Sequence, residues 1–191
     1  MQHSDQPFIE LARAGEAIQA MRVAPSLVEF EEQWKQFLHR VERVWNKMID
    51  HFGRSPKWHG WVSKHEHLRK TDPILSYLIN ARGAEEHTVS EIVSRSPGGI
   101  GINPAEGNSL YIKKIEQRGG NLVIESPQAL KIEFIPARVG LLPVSNRGRV
   151  YPVPSSHLGR PIDPAAVVEL AQLAHGYYQR ALQSAESFFI K

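Results

Sequence analysis

The chain has 191 residues, of which 41% are hydrophobic and 23% charged, and it contains no cysteine. The hydrophobic share is enough for a folded interior and argues against global disorder, whereas the lack of thiols excludes thiol catalysis, disulfide-stabilised folds and cysteine-bound zinc. A formal charge of +3 neither requires nor excludes a nucleic-acid partner.

The N-terminal half is predicted to be helical. Phe8 to Met21 predicts a short helix interrupted at Gly15. Ser26 and Glu29 form a capping box that opens a longer helix, whose apolar stripe ends at Gly53 and consists of Phe30, Trp34, Phe37, Leu38, Val41, Val44, Met48 and Phe52. Residues 54–71, with their tryptophans and histidines, predict an ordered connection.

Asp72 to Val93 predicts the next helix, which carries an unusual polar pair. Asp72 and Pro73 form a helix start, since an Asp side chain accepts an unpaired N–H and proline fits the first turn. Arg82 falls on the stripe with helical spacing, which consists of Leu75, Leu78, Ile79, Arg82, Glu86, Val89 and Val93. We therefore expect Arg82 to be buried, where a cation needs a partner or a function.

The period changes after residue 97. PGG and NPAEGN are turn-like, whereas LYIKKIE, NLVIE and LKIEFIP are typical of strands, with a hairpin turn at 118–121. Residues 136–162 are rich in proline and predict an extended arm on the surface. Asp163 and Pro164 predict the start of the last helix, with an apolar stripe of Val167, Leu170, Ala171, Ala174, Tyr178, Ala181, Leu182, Ala185 and Phe189.

Arg82 and His87 carry the clearest chemistry in the sequence. A guanidinium offers fixed donors to a phosphate, and an imidazole exchanges protons near neutral pH. Together they suit metal-free cleavage of RNA: the histidine would move a proton at the ribose 2′-OH or the leaving oxygen, and the arginine would stabilise charge on the phosphorane. Residues five apart on a helix differ by roughly 140° in azimuth, so a shared ligand requires a wide groove or a deformed helix.

The segment DPILSYLINARGAEEH resembles the signature helix of HEPN-type proteins, the helical domains named for higher eukaryotes and prokaryotes nucleotide-binding. Nuclease members carry an arginine, a short spacer and a histidine, and Arg82 and His87 match this pattern with Gly83 at a position that is commonly polar. The resemblance implies an all-helical bundle, usually dimeric, whose facing motifs cut RNA without a metal. It covers the helices and not the β-rich region.

The sequence leaves three interpretations of the pair open. The first is a metal-independent endoribonuclease of the toxin or defence kind, with His87 as general acid or base, Arg82 as anion stabiliser and a 2′,3′-cyclic phosphate product. The second is a non-catalytic module that binds RNA, a nucleotide or a protein partner. In the third, Arg82 pairs with Glu42 or Glu86 and the role is structural.

Further candidate residues flank the motif helix. Lys64 and Arg69, in KHEHLRK, would attract a phosphate backbone. Arg147 and Arg149 in the arm would extend the substrate groove, with Tyr151 stacking on a base; alternatively, the arm is a strap that covers the core, which we favour. His59, His65, Glu66 and His67 lack a recognisable metal-ligand spacing, so we predict a solvated loop there and no metal.

We therefore predict a mainly α protein, a HEPN-type bundle with a small β-rich insertion before the last helix. We predict that residues 1–191 form a single domain. Its helical core comprises about 8–96 and 163–191, and its insertion comprises about 97–162. Expected partners are RNA or a nucleotide, a second copy in a homodimer formed through the motif helix, and a protein inhibitor. We expect no cofactor, no membrane association and a cytoplasmic location.

Overall fold

The computed structural model describes residues 5–87 and 91–190, except for the His87 side chain. It divides into two compact units. The helical unit comprises Met1–Arg95 and Val139–Lys191, and the ribbon unit comprises Ser96–Arg138. The described chain is mainly α, as predicted, and none of its described helices is long and apolar enough to cross a membrane.

Helices build the core of the helical unit. They are α1 (Gln6–Arg22), α2 (Leu27–Phe52), α3 (Trp58–Thr71), α4 (Pro73–His87) and α5 (Val167–Phe189). α2 begins as predicted, because the Ser26 hydroxyl accepts a hydrogen bond from the backbone N–H of Glu29 at 3.1 Å. Its predicted stripe and that of α5 are buried along most of their length. Large aromatic side chains that are fully buried anchor the core: Trp34, Phe37, Phe52, Tyr77 and Tyr178.

α1 runs without a break through Gly15, so the predicted interruption is wrong. A Cβ added at Gly15 would lie 3.4 Å from Nε2 of His175 on α5. That ring nitrogen in turn lies 3.0 Å from the carbonyl oxygen of Leu11. Gly15 therefore lies where α1 packs on α5, and it does not end the helix.

The predicted connection at 54–71 is mostly helix α3. Its buried side has helical spacing and consists of Trp58, Trp61, Val62, His65 and Arg69. Two of these five side chains, His65 and Arg69, are polar. The sequence therefore lacks the continuous apolar stripe that would have predicted this helix. The four tryptophans of the chain, Trp34, Trp45, Trp58 and Trp61, are all buried.

α4 is shorter than the helix predicted over Asp72 to Val93. It ends at His87, Val93 belongs to strand β1 (Val93–Ser96), and positions 88–90, with the predicted stripe residue Val89, lie outside the described residues. The side of α4 that is buried consists of Ile74, Leu75, Tyr77, Leu78, Ala81 and Ala84. Arg82 borders this side and keeps 34% of its side chain exposed, so the expectation of a buried arginine is wrong.

α5 begins at Val167 and not at the Asp163–Pro164 pair. The Asp163 carboxylate accepts a hydrogen bond from the backbone N–H of Ala165 at 2.9 Å. This local bond forms a turn ahead of the helix, which is the common use of an Asp that is followed by proline.

The arm contains short strands that cover the helical core. They are β6 (Arg138–Leu141), β7 (Val144–Asn146), β8 (Arg149–Tyr151), β9 (Ser156–His157) and β10 (Arg160–Pro161). β6 pairs with β1, β7 with β8, and β9 with β10. Val139, Leu141 and Val144 are buried in the core, and β7 packs on α4. This part of the arm is therefore the predicted strap.

The ribbon unit consists of two antiparallel strand pairs. β2 (Gly99–Pro104) pairs with β5 (Leu130–Ile135), and β3 (Lys114–Arg118) pairs with β4 (Asn121–Glu125). The hairpin at 118–121 is confirmed, with φ of +56° at Gly119 and +84° at Gly120. The prediction of turns over 97–108 missed β2, whose glycines and proline mask its strand pattern.

Candidate nucleic-acid interface

The Arg82 guanidinium pairs with a carboxylate on its own helix. Its Nη2 lies 2.5 Å from Oε1 of Glu86, one turn further along α4, whereas its Nε is buried and has no hydrogen-bond partner among the described residues. His39 on α2 approaches the same turn, with 3.0 Å to Glu85 and 3.7 Å to Glu86. The pairing of Arg82 with Glu86 is one of the two arrangements that the structural interpretation names.

His87 is the last residue of α4, and its side chain lies outside the described residues. Its catalytic role, and the joint role with Arg82, stay predictions. Position 87 follows Asn80 by seven residues and Gly83 by four, which places all three positions on one side of the helix.

Gly83 lies where the arm contacts α4. A Cβ at this position would be 2.6 Å from Nδ2 of Asn146, closer than a methyl group can approach. The Asn146 amide donates to the Asn80 side-chain oxygen at 3.0 Å, and Asn80 itself donates to the carbonyl oxygen of Ser76 at 2.8 Å. Packing therefore explains the glycine at this position: because Gly83 has no side chain, β7 can lie directly on α4.

A groove opens beside this contact, between α3, α4 and β8. We call it the α3–α4 groove; its volume is about 470 Å³ and it is lined by Trp45, Glu66, Arg69, Lys70, Ser76, Ile79, Asn80, Arg149 and Tyr151. Three of the five residues predicted to bind RNA therefore meet in one place, namely Arg69, Arg149 and Tyr151. They come from distant parts of the sequence and are brought together by the strap.

Arg149 and Tyr151 form the wall that belongs to the arm. The Arg149 guanidinium carbon lies 5.4 Å from the centre of the Tyr151 ring, within the range of a cation–π contact. The tight β7–β8 turn holds both residues, with positive φ at Arg147 and Gly148. In the described part of the chain, neither Arg149 nor Lys70 forms an ion pair with a carboxylate. Both cations are exposed and free to meet an anion.

Arg69 lies at the floor of the groove and is already engaged. It is 7% exposed, and its Nη2 lies 2.8 Å from Oε2 of Glu42. Its guanidinium carbon lies 4.4 Å from the centre of the Trp45 ring, and its Nη1 donates to the Tyr178 hydroxyl. Burial raises the pKa of Tyr178 to about 12, although Arg69 acts in the opposite direction, so the hydroxyl stays protonated. The charge of Arg69 is thus balanced inside the protein.

The other two predicted RNA-binding residues lie elsewhere. Lys64 lines a separate cavity between α3 and α5, together with Lys57 and Ser184. Arg147 occupies the β7–β8 turn, where it is exposed but does not line the α3–α4 groove. The position of a cationic residue in a basic stretch of sequence therefore does not predict which cavity the residue lines.

Two buried histidines were not expected from the sequence. Nδ1 of His65 lies 2.9 Å from the Tyr177 hydroxyl, and Nδ1 of His157 lies 2.9 Å from Oδ1 of Asp72. Burial, with a contribution from the Lys64 charge, lowers the pKa of His65 to about 4. Burial alone would raise the pKa of Asp72, but hydrogen bonds from His157 and two backbone N–H groups lower it instead.

Both histidines are packed in the core of the helical unit. Among the described residues, no group of three or more His, Asp and Glu side chains could hold a metal ion. His65, one of the residues first placed in a solvated loop, is 7% exposed, so that part of the prediction is wrong. The helical register of α3 turns it towards Tyr177.

Sequence reasoning missed the residues that α4 contributes to the groove. Ser76, Ile79 and Asn80 line it. Two of them are polar residues four apart on a largely apolar helix, and this spacing is the signal that was available. Comparison of the chain with protein-family models, curated proteins and solved structures found no match.

Proposed function

We propose that this protein binds RNA, as a single strand or a nucleotide, in the α3–α4 groove. The observation that carries the proposal is the pair of Arg149 and Tyr151, an unpaired cation beside an aromatic face at the rim of a groove. Single-stranded RNA is recognised by such pairs, because a base stacks on the ring while the cation meets a phosphate.

The dimensions and the polar groups of the groove support this proposal. Its volume of about 470 Å³ is within the range of small-ligand sites. Lys70 supplies a second unpaired cation on the α3 wall. Beyond its bonds to Ser76 and Asn146, Asn80 on the α4 wall keeps one amide hydrogen and one oxygen lone pair that suit a base edge. Glu66 on the same rim keeps the local charge modest, which favours one or two phosphates rather than a long duplex.

The experiment measures binding of a short fluorescein-labelled, mixed-sequence RNA by fluorescence anisotropy over a range of salt concentrations. Arg149→Gln should weaken binding about tenfold, as expected for one charge-assisted contact, and make the slope of log K against log salt less steep by about 0.7. Tyr151→Leu should weaken binding by about 1–3 kcal/mol and leave that slope unchanged, because stacking releases no counterion.

The matched control is Arg54→Gln, which removes an exposed arginine from the turn between α2 and α3. It should keep both affinity and salt slope at the wild-type values. Equal weakening by Arg54→Gln and Arg149→Gln would mean that the binding is a general charge effect, and the groove proposal would then be wrong. Thermal unfolding of each variant separates lost binding from lost folding.

The endoribonuclease activity is the narrower form of the same proposal. Ile79 lines the groove, and Arg82 follows it by one turn of α4, so an RNA strand in the groove would run towards Arg82 and position 87. In this proposal Glu86 releases Arg82 when a phosphate arrives, and His87 takes the proton of the 2′-OH as this oxygen bonds to phosphorus. The bond from phosphorus to the 5′-oxygen then breaks, the 5′-oxygen receives the proton and leaves as a hydroxyl, and a 2′,3′-cyclic phosphate remains. The helical unit and the arginine–histidine spacing support a HEPN-type bundle, and a homodimer through α4 and a protein inhibitor belong to the same proposal.

A further inference from the structure

The ribbon unit exposes apolar surface to an unusual degree. None of its 43 residues, Ser96–Arg138, is buried. On the β2–β5 pair, Ile100 lies opposite Phe134 and Ile102 lies opposite Ile132, so the four side chains share one face. Phe134 is 82% and Ile132 55% exposed. Two strands with an uncovered apolar face are marginal in water, and a wider sheet is needed for independent stability.

β5 also has an unpaired edge. It forms a two-stranded sheet with β2, and among the described residues no backbone hydrogen bond joins it to any other element. The outer edge of β2 is a poor template for a further strand, because Gly99, Gly101 and Pro104 interrupt it. The sequence of β5, LKIEFI, has neither glycine nor proline. The free edge of β5 is therefore the place where another strand can add.

The charges on β5 select the strand that fits. Lys131 and Glu133 lie on the opposite face from Ile132, where they form an ion pair with each other at 2.5 Å and stay exposed, so both can also meet charges across the edge. If a second β5 adds in the antiparallel direction about Ile132, Lys131 lies opposite the partner's Glu133, and Leu130 lies opposite the partner's Phe134. A register centred on Lys131 or on Glu133 instead places like charges opposite each other. Only the register about Ile132 joins opposite charges and keeps the apolar side chains on one face.

We propose that a second copy of this chain pairs along β5, in a twofold, antiparallel arrangement centred on Ile132. The two ribbons then form one four-stranded sheet in the order β2, β5, β5 of the partner and β2 of the partner. This interface is isologous, because each side supplies the same strand. It is an alternative to the α4 interface that the HEPN resemblance implies, because a chain that used two different isologous interfaces would assemble beyond a dimer.

A charge exchange on the full-length protein tests the pairing. Glu133→Lys places lysines opposite lysines at two symmetric positions and should raise the dimer dissociation constant about tenfold or more. The double variant Lys131→Glu with Glu133→Lys restores opposite charges and should return the constant to within about threefold of wild type. Sedimentation equilibrium over a range of protein concentrations measures all three constants.

Glu106→Lys is the matched control. It makes the same charge change at an exposed position that follows β2 and lies outside β5, so it should leave the dimer unaffected. Far-UV circular dichroism checks that each variant is folded. A monomeric wild type, an unaffected dimer in Glu133→Lys, or a double variant that dissociates like the single one would each overturn the proposal. A monomeric wild type would point to a different protein on this edge.

Discussion

Replacing Arg69 by methionine separates a structural arginine from a ligand-binding one. The guanidinium lies 2.8 Å from the Glu42 carboxylate and 4.4 Å from the centre of the Trp45 ring, and its side chain is 8% exposed. Methionine fills similar volume but leaves Glu42, whose side chain is 17% exposed, without its cation. Breaking a buried pair in this way costs about 3–5 kcal/mol.

The magnitude is large enough to measure directly. At roughly 2–4 °C for each kcal/mol in a chain of this size, Tm should fall by about 6–20 °C. Urea unfolding followed by far-UV circular dichroism gives the free energy of unfolding for wild type and Arg69→Met. Loss of the cation also leaves the Tyr178 hydroxyl without its donor, which adds to the destabilisation in the same direction.

A double variant supplies the control. Arg69→Met combined with Glu42→Gln removes both charges, so it should be more stable than the sum of the two single changes predicts, by about 1–3 kcal/mol. If Arg69→Met unfolds within about 1 kcal/mol of wild type and instead loses RNA binding, the pairing with Glu42 is not what holds Arg69, and our structural account of this residue is wrong.

Three further predictions follow from other contacts. Because burial lowers the pKa of His65 from 6.5 to about 4, the unfolded chain takes up a proton first as the pH falls. The free energy of unfolding should therefore decrease by up to about 3 kcal/mol between pH 6.5 and pH 4. Urea unfolding should show a weaker pH dependence for His65→Gln, and the same dependence in both proteins would contradict the prediction. Gly83→Ala should lower the free energy of unfolding by about 1 kcal/mol, because the new methyl group displaces the Asn146 amide 2.6 Å away. In a helix without this contact, the same change usually stabilises by about 1 kcal/mol. A higher Tm for the variant would show that Asn146 can move aside at no cost. RNA incubated in excess chelator should be cut by wild type and left intact by Arg82→Ala and by His87→Ala, and cleavage that persists in both would remove them from the mechanism.

Several elements could be predicted from the sequence because their determinants are local. The capping box at Ser26 and the long apolar stripe determined α2, and two adjacent glycines determined the β3–β4 turn. The same local rules placed α5 within four residues of its observed start. The cap of α2 and the β3–β4 turn are each formed within a few residues of chain, whereas the observed start of α5 has no side-chain cap.

The elements that were missed depend on partners far away in the sequence. α3 has a buried side that is partly polar, and its His65 and Arg69 are tolerated there only because Tyr177, Tyr178 and Glu42 supply partners. β2 is a strand because β5 lies beside it, although its own glycines and proline disfavour one. Local propensity is a weak guide wherever tertiary contacts decide.

The residues of the α3–α4 groove were likewise predictable only in part from the sequence. Composition and residue type were enough to select Arg69, Arg149 and Tyr151, because cations and aromatic rings are what RNA requires. Only the tertiary structure decided that Arg149 and Tyr151 share a groove with α4, that Glu42 already balances Arg69, and that Lys64 faces another cavity. The reason is physical: a side chain's chemistry belongs to the residue, but whether its charge is free depends on neighbours that the fold brings from elsewhere.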